Sequence, residues 1–414
     1  MTWSFRHMTG VLSPAMFHIP QMKKTVDLIY FNAGGGHRAS ALALQQSIAL
    51  SNLPWQVRLV NLTDVLDPQG TLRKYTFSPE DYYNARLARG LTLGLRHELK
   101  LLQGALRLLH PTLLKILKLH WLRTEPDLVV SLIPNFNRAL YDSLTATLPG
   151  VPYITLLTDL ADFPPHFWME QGQDQHLICG SKRAVQQALN AGFPPEKVHA
   201  TSGMMIRPDF YRAPQNFDRT ARLQAMGFDP QRPVGVVMFG GHGSRSMLAI
   251  AERLPDTQII FMCGHNEKLA TRLRALPADA PRHVMGFTSE VAEVMRLGDF
   301  FIGKPGPGSL SEALHLGLPV IVVRNAWTMP QERYNTDWVR DNGYGLVLPS
   351  FRAIAAELPT FLADLPAYRA RVAAHPNRAV FEVPQILDGI LRSAQGVDAQ
   401  ASELLTRRLS ESGH

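Results

Sequence analysis

His37 stands directly after Gly34, Gly35 and Gly36, between an apolar run, Val26–Phe31, and an Ala/Leu-rich stretch. A glycine turn lets the backbone approach a ligand closely, and an imidazole placed there titrates near neutrality. Asp159 follows the apolar stretch Val151–Leu157 and Thr158. Either group could accept a proton, and either could instead be a surface or turn-capping residue.

Two further segments have the makings of anion cradles. Gly240-Gly241-His242-Gly243-Ser244 follows an apolar run, and so does Gly303-Lys304-Pro305-Gly306-Pro307-Gly308-Ser309. A glycine turn between a strand and a helix points backbone N–H groups and a helix N-terminus at a bound phosphate. Ser309 is expected at the N-cap of its helix, where Ser309 and Glu312 have the spacing of a capping box. Such a box would account for both residues without a ligand, and spacing alone leaves the two readings open.

These turns must be held by strands and helices in alternation. Strands are expected at Val26–Phe31, Val57–Asn61, Leu128–Ile133, Val151–Leu157, His176–Cys179 and Lys197–Thr201, and the pattern restarts after Arg207-Pro208-Asp209-Phe210. Strands at Val234–Phe239, Gln258–Cys263, His283–Gly286, Phe300–Ile302 and Val320–Val323 are then interleaved with helical stretches. Alternation of this kind means parallel α/β sheets: two Rossmann-like, doubly wound domains facing a cleft, with ligands at the carboxyl ends of the strands. A chain of 414 residues with 45% hydrophobic content supports two cores. The expected division is a leader of unknown role over 1–24, an N-terminal domain over 25–208, a C-terminal domain over 209–393 and a polar, mobile tail over 394–414.

Cys179 and Cys263 are the only cysteines, which argues against a disulfide framework and fits a reducing compartment. No apolar run approaches the length of a membrane span. A net charge of +7 points to an anionic partner. No Asp-x-Asp motif or carboxylate cluster for a divalent ion is present, so no metal is expected in the site.

Gly-Pro-Gly-Ser-Leu-Ser-Glu-Ala-Leu at 306–314, followed by Gly-Leu-Pro-Val-Ile at 317–321, resembles the nucleotide-sugar motif of glycosyltransferase family 28, and within it the monogalactosyldiacylglycerol synthase branch. The resemblance extends over most of residues 26–350. It takes in the loop Gly34 to Ala41, Thr158-Asp159-Leu160, Ile206 to Phe210, Cys263-Gly264-His265-Asn266, Gly286-Phe287, and Pro330-Gln331-Glu332 with Asn335. It implies a GT-B fold and transfer of a sugar from a UDP-sugar to a lipid hydroxyl, that of diacylglycerol, without a cofactor.

Under that resemblance Glu312 holds ribose hydroxyls and the glycine turns hold the diphosphate. Phe287 lies near uracil, while Gln331, Glu332 and Asn335 face the donor sugar. Gly240, Gly241, His242, Gly243, Ser244, Gly264, Lys304, Gly306, Pro307, Gly308 and Ser309 complete the donor site. Gly35 and Gly36 form the loop on the acceptor side, and His37 or Asp159 is the base. One departure stands out: the family's His-Pro after Thr-Asp-Leu is here Pro164-Pro165, with His166 slightly later.

Residues 86–123 carry Arg86, Arg89, Arg96, Lys100, Arg107, Lys115, Lys118 and Arg123 against one acid, Glu98, amid many leucines and Trp121. Such a segment is expected to dock on an anionic membrane, with Arg96, Lys100, Arg107, Lys115, Lys118 and Trp121 in contact. Pro111 predicts a second helical piece starting there. The chain is thus expected at the cytoplasmic face of a membrane, with no nucleic-acid partner. Competing readings are N-acetylglucosamine transfer to a lipid-linked cell-wall precursor, a UDP-sugar epimerase, and a non-catalytic nucleotide-sugar sensor.

Overall fold

The computed structural model describes residues 23–32, 36–70 and 95–411. Residues 1–22, Gly34, Gly35, Arg86 and Arg89 fall outside them, as does the side chain of Arg96.

The first unit runs β1 (Lys24–Tyr30), α1 (Gly36–Leu50), β2 (Trp55–Asn61), α2 (Leu62–Leu66), α3 (Leu95–Leu108), α4 (His110–Thr124), β3 (Leu128–Ser131), α5 (Asn137–Thr147), β4 (Tyr153–Leu156), β5 (His176–Cys179), α6 (Lys182–Asn190) and β6 (Val198–Ala200). Its six strands are parallel, in the order β2-β1-β3-β4-β5-β6. Helices cover both faces of such a sheet, which is why β3 and β4 are buried along their whole length.

The second unit runs α7 (Arg219–Ala225), β7 (Val234–Met238), α8 (Ser246–Arg253), β8 (Gln258–Met262), α9 (Glu267–Arg274), β9 (Arg282–Met285), α10 (Val291–Met295), β10 (Phe300–Gly303), α11 (Pro307–His315), β11 (Val320–Val323), α12 (Arg333–Asp341), β12 (Gly345–Leu348), α13 (Ile354–Ala363) and α14 (Leu365–Ala373). Its parallel sheet has the order β12-β11-β10-β7-β8-β9. In both sheets the strand order reverses beside the first strand, which puts the loops after β1 and β3, and after β7 and β10, at the switch points where ligands bind. The expected strands all appear; β12 is additional.

The chain then crosses back. A last helix, α15 (Ala379–Glu411), carries Val380, Val383, Leu387 and Ile390 into one core with Val26, Leu28, Ala41 and Leu44 of the first unit. Their three-and-four spacing gives α15 one apolar stripe, and α1 offers alanines against which it seats. The expected extent of the C-terminal domain, 209–393, is corrected accordingly: residues 379–391 pack with the N-terminal unit. From 394 to 411 the chain continues that helix. The two crossings are tied together, since Asn377 Nδ2 donates to the Met204 carbonyl at 2.8 Å and Glu382 Oε2 accepts from the Ser202 N–H at 2.7 Å.

The basic segment forms two helices, α3 and α4, with Pro111 in the first turn of the second, where its missing N–H costs nothing. Leu113, Leu117 and Trp121 form the buried stripe of α4. Trp121 is therefore not a membrane contact: it is fully buried, and its Nε1–H donates to Ser143 Oγ at 2.8 Å. An indole whose N–H finds a partner inside packs better in the core than at a surface. Lys100, Arg107 and Lys115 are exposed and Lys118 is half-buried, among the exposed Leu101, Leu102, Leu108, Leu109, Leu119 and Leu122.

Candidate active site

On the C-terminal side the turn from Gly303 to Ser309 joins β10 to α11. Gly306, not Ser309, is the N-cap of α11, and no side chain caps it. Pro307 fixes the helical φ two residues before Ser309 and starts the helix early, so the capping box does not form. Glu312 is instead four-fifths buried, with Oε1 4.0 Å from Arg207 Nε. Burial pushes its carboxyl up to about 7 and Arg207 opposes the rise. Arg207, in the crossing between the units, was not among the residues singled out by sequence, although it lies in the segment Ile206 to Phe210.

Three glycines of these strand-to-helix turns have no packing reason to be glycine. A Cβ at Gly36, Gly241 or Gly308 would meet nothing within 4 Å, and none of these has a positive φ. Gly36 and Gly308 lie in the first turns of α1 and α11, and Gly241 in the turn before α8. Bare backbone in those places exposes N–H groups to an approaching anion. Gly264 is different. Its φ is +58°, and a Cβ would fall 2.1 Å from the Gly241 carbonyl oxygen. That close approach seats the loop after β8 on the loop after β7, sealed by His265 N–H to Gly241 O at 2.8 Å and Asn266 Nδ2 to His242 O at 3.1 Å. Beside them the His265 and Phe287 rings stack at 4.2 Å, with Phe287 64% exposed, a flat apolar surface for a planar ligand. Ser244 turns inward on its own loop, its Oγ accepting from Ser246 N–H at 3.2 Å.

The segment after β11 packs against this turn. Gln331, Glu332 and Asn335 are all buried, and Asn335 Nδ2 donates to the Pro305 carbonyl at 2.8 Å, anchoring the turn before α11. Lys304 Nζ reaches Glu332 Oε1 at 3.2 Å, directly over Gly306.

Opposite, at the switch point of the N-terminal sheet, His37 Nδ1 lies 2.8 Å from the Leu132 carbonyl and 3.2 Å from Thr158 Oγ1. A carbonyl only accepts, so Nδ1 carries the proton and Nε2 keeps its lone pair. Burial lowers the imidazole to about 4, so it is neutral at physiological pH. Asp159 is 7% exposed, and its Oδ2 accepts from Trp168 Nε1 at 3.0 Å. Burial raises its carboxyl to about 7; Glu332 and Asp162 add to the rise, while the Trp168 bond and Lys304 oppose it. Glu332 and Lys304 of the second unit thus act electrostatically on Asp159 of the first. Phe163 and Tyr334 meet between the two units, ring to ring at 6.4 Å.

Asp162 organises the loop that carries Asp159, accepting from the N–H groups of His166 at 3.0 Å and Trp168 at 2.7 Å. His166 itself is exposed, at φ +63°, and lines a cavity with Gln103, Arg107, His110 and Arg138. Gln103 Nε2 donates to the His166 carbonyl and to Asn135 Oδ1, both at 3.2 Å, joining α3 to that loop.

Residues 237–386, which include both glycine turns and Glu312, match the Glycosyltransferase family 28 C-terminal domain. Over 90% of the chain the sequence is 27% identical to "Monogalactosyldiacylglycerol synthase, chloroplastic" of Spinacia oleracea, of which it covers 74%. Across the similar synthases of other plants that share falls as low as 58%. Among solved structures, MurG of Acinetobacter baumannii superposes with a TM-score of 0.55 at 14% identity, over 88% of this chain and 99% of that one. The UDP-GlcNAc 2-epimerase of Neisseria meningitidis, bound to UDP-GlcNAc, does so with 0.53 at 13%, over 90% and 100%. The chain has the GT-B fold, and its second half carries a glycosyltransferase family 28 C-terminal domain.

Proposed function

We propose that this chain transfers a hexose from a UDP-sugar to the hydroxyl of diacylglycerol at a membrane surface, with inversion at the sugar carbon. The observation that carries the reading is the buried Asp159 carboxyl, held by Trp168 and within the electrostatic reach of the Lys304–Glu332 pair, which stands beside an uncapped helix N-terminus. The acceptor oxygen attacks C1 of the sugar and gives its proton to Asp159, as the bond from C1 to the diphosphate oxygen breaks. A base with a carboxyl near 7 is matched to proton transfer at neutral pH. The departing UDP keeps the electron pair, and the α11 N-terminus and Lys304 offset its charge. Glu312 takes the ribose hydroxyls, and neutral His37 lies beside the acceptor with Nε2 free. The named relatives support the lipid acceptor and a galactosyl donor.

The exposed faces of α3 and α4 support contact with a membrane surface. Among the described residues no helix is long and apolar enough to cross a bilayer. Exposed leucines interleaved with Lys100, Arg107 and Lys115 suit an interfacial surface, and Gln103 links that surface to the Asp159 loop.

Purified protein incubated with radiolabelled UDP-galactose, UDP-glucose or UDP-N-acetylglucosamine, and with diacylglycerol or a lipid-linked cell-wall precursor, separates the readings. Label in a diacylglycerol glycolipid supports this one. Label only on the precursor, or only in an epimerised UDP-sugar, overturns it.

A further inference from the structure

Trp168 is fully buried against both groups that could handle the acceptor proton. Its Nε1–H donates to Asp159 Oδ2 at 3.0 Å, and its ring centroid is 6.0 Å from that of His37. The indole is itself fixed through its backbone. The Trp168 N–H donates to Asp162 Oδ1 at 2.7 Å, and its carbonyl accepts from Asn137 Nδ2 at 3.0 Å. Asn137 Oδ1 in turn accepts from Ser131 Oγ at 2.7 Å and Tyr153 Oη at 2.8 Å, at the ends of β3 and β4. A donor tied in this way to two adjacent strands cannot follow the carboxyl group if it rotates. One carboxylate oxygen is pinned, and the other is left for a substrate.

We propose that Trp168 is a positioning residue of the transfer step, its indole N–H holding Asp159 by Oδ2 so that Oδ1 is the atom that takes the acceptor proton. The inference rests on the reading of Asp159 as the base. Nothing in the sequence marks Trp168, because a buried tryptophan ordinarily reads as core.

The bond also favours the ionised carboxyl. The charged and titratable groups that act on Asp159 are Glu332 and Asp162, which raise its carboxyl, and Lys304, which lowers it. Removing the indole N–H while keeping an aromatic ring, as in Trp168→Phe, therefore moves the acid limb of the kcat profile to higher pH. Turnover at pH 7 is expected to fall roughly tenfold or more, with the UDP-sugar KM nearly unchanged. In an Asp159→Asn background the same substitution should cost little further turnover, since the base that Trp168 positions is then already gone. Should Trp168→Phe fail to fold, replacing the indole by its isostere 3-benzothienylalanine removes the N–H without changing the packing.

An unmoved acid limb in the Phe or benzothienyl variant overturns the inference, and so does an equal loss with and without Asp159. Full activity of Asp159→Asn alone instead overturns the reading of Asp159 on which the inference stands.

Discussion

Lys304 Nζ lies 3.2 Å from Oε1 of Glu332, and the two act on Asp159 across the cleft with opposite signs. Glu332 raises the Asp159 carboxyl and Lys304 lowers it. Glu332→Gln is therefore expected to move the acid limb of kcat, measured at saturating donor, to lower pH, and Lys304→Met to move it to higher pH. Displacements in the same direction would show that the limb belongs to another group.

Glu312 makes no capping bond, so Glu312→Gln should leave the melting temperature intact or raised while UDP affinity drops about tenfold, the scale of a lost charge-assisted bond. Arg207→Gln removes the cation that opposes the rise of the Glu312 carboxyl, so UDP binding should weaken most below neutral pH. Calorimetric titration of UDP from pH 5.5 to 8.5 checks both, and unchanged affinity in Glu312→Gln would remove the ribose assignment.

A carboxyl raised from near 3.8 to about 7 on folding holds its proton more tightly in the folded state. It opposes folding progressively from pH 4 upward, and fully above 7, by an amount on the order of a few kcal/mol. Asp159→Asn keeps an acceptor for Trp168 and removes that cost. Its melting temperature should match the parent near pH 4 and exceed it increasingly toward pH 8. His37, lowered to about 4, acts in the opposite sense between 4 and 6.5, so the difference between variants, not the parent curve, is the quantity to read.

Each basic residue near an anionic surface contributes about 1 kcal/mol. Changing Arg96, Lys100, Arg107 and Lys118 to Glu should abolish co-sedimentation with anionic vesicles at low salt, and equal binding of the two proteins would refute the docking surface. Trp121→Ala should instead cost about 3–5 kcal/mol of stability, as for a buried tryptophan, and leave vesicle affinity little changed in protein that folds.

Much of this site could be read from local sequence because its parts are strand-to-helix turns, and both Gly303 to Ser309 and Gly240 to Ser244 stand where their strands predict. What escaped depends on contacts distant in sequence. Trp121 looked interfacial beside its basic neighbours, but the partner that buries it, Ser143, lies on another helix. The place of α15 in the first unit follows from a stripe of apolar residues whose complement is some 340 residues earlier in the chain, between Val380 and Ala41. Ser309 misled because Pro307 and a capping serine are competing start signals, and the proline prevailed. Arg207 and Trp168 gave no signal of their own type; each acquires meaning only from the carboxylate beside it.

The most direct measurement is transfer of label from UDP-[14C]galactose and UDP-[14C]glucose to diacylglycerol in anionic vesicles, by the parent protein and by Asp159→Asn. Organic-soluble label that scales with diacylglycerol content, and that falls by about 10²–10⁴ in the folded variant, is the predicted result. Label that forms without diacylglycerol, or that forms equally well in the variant, would contradict the account.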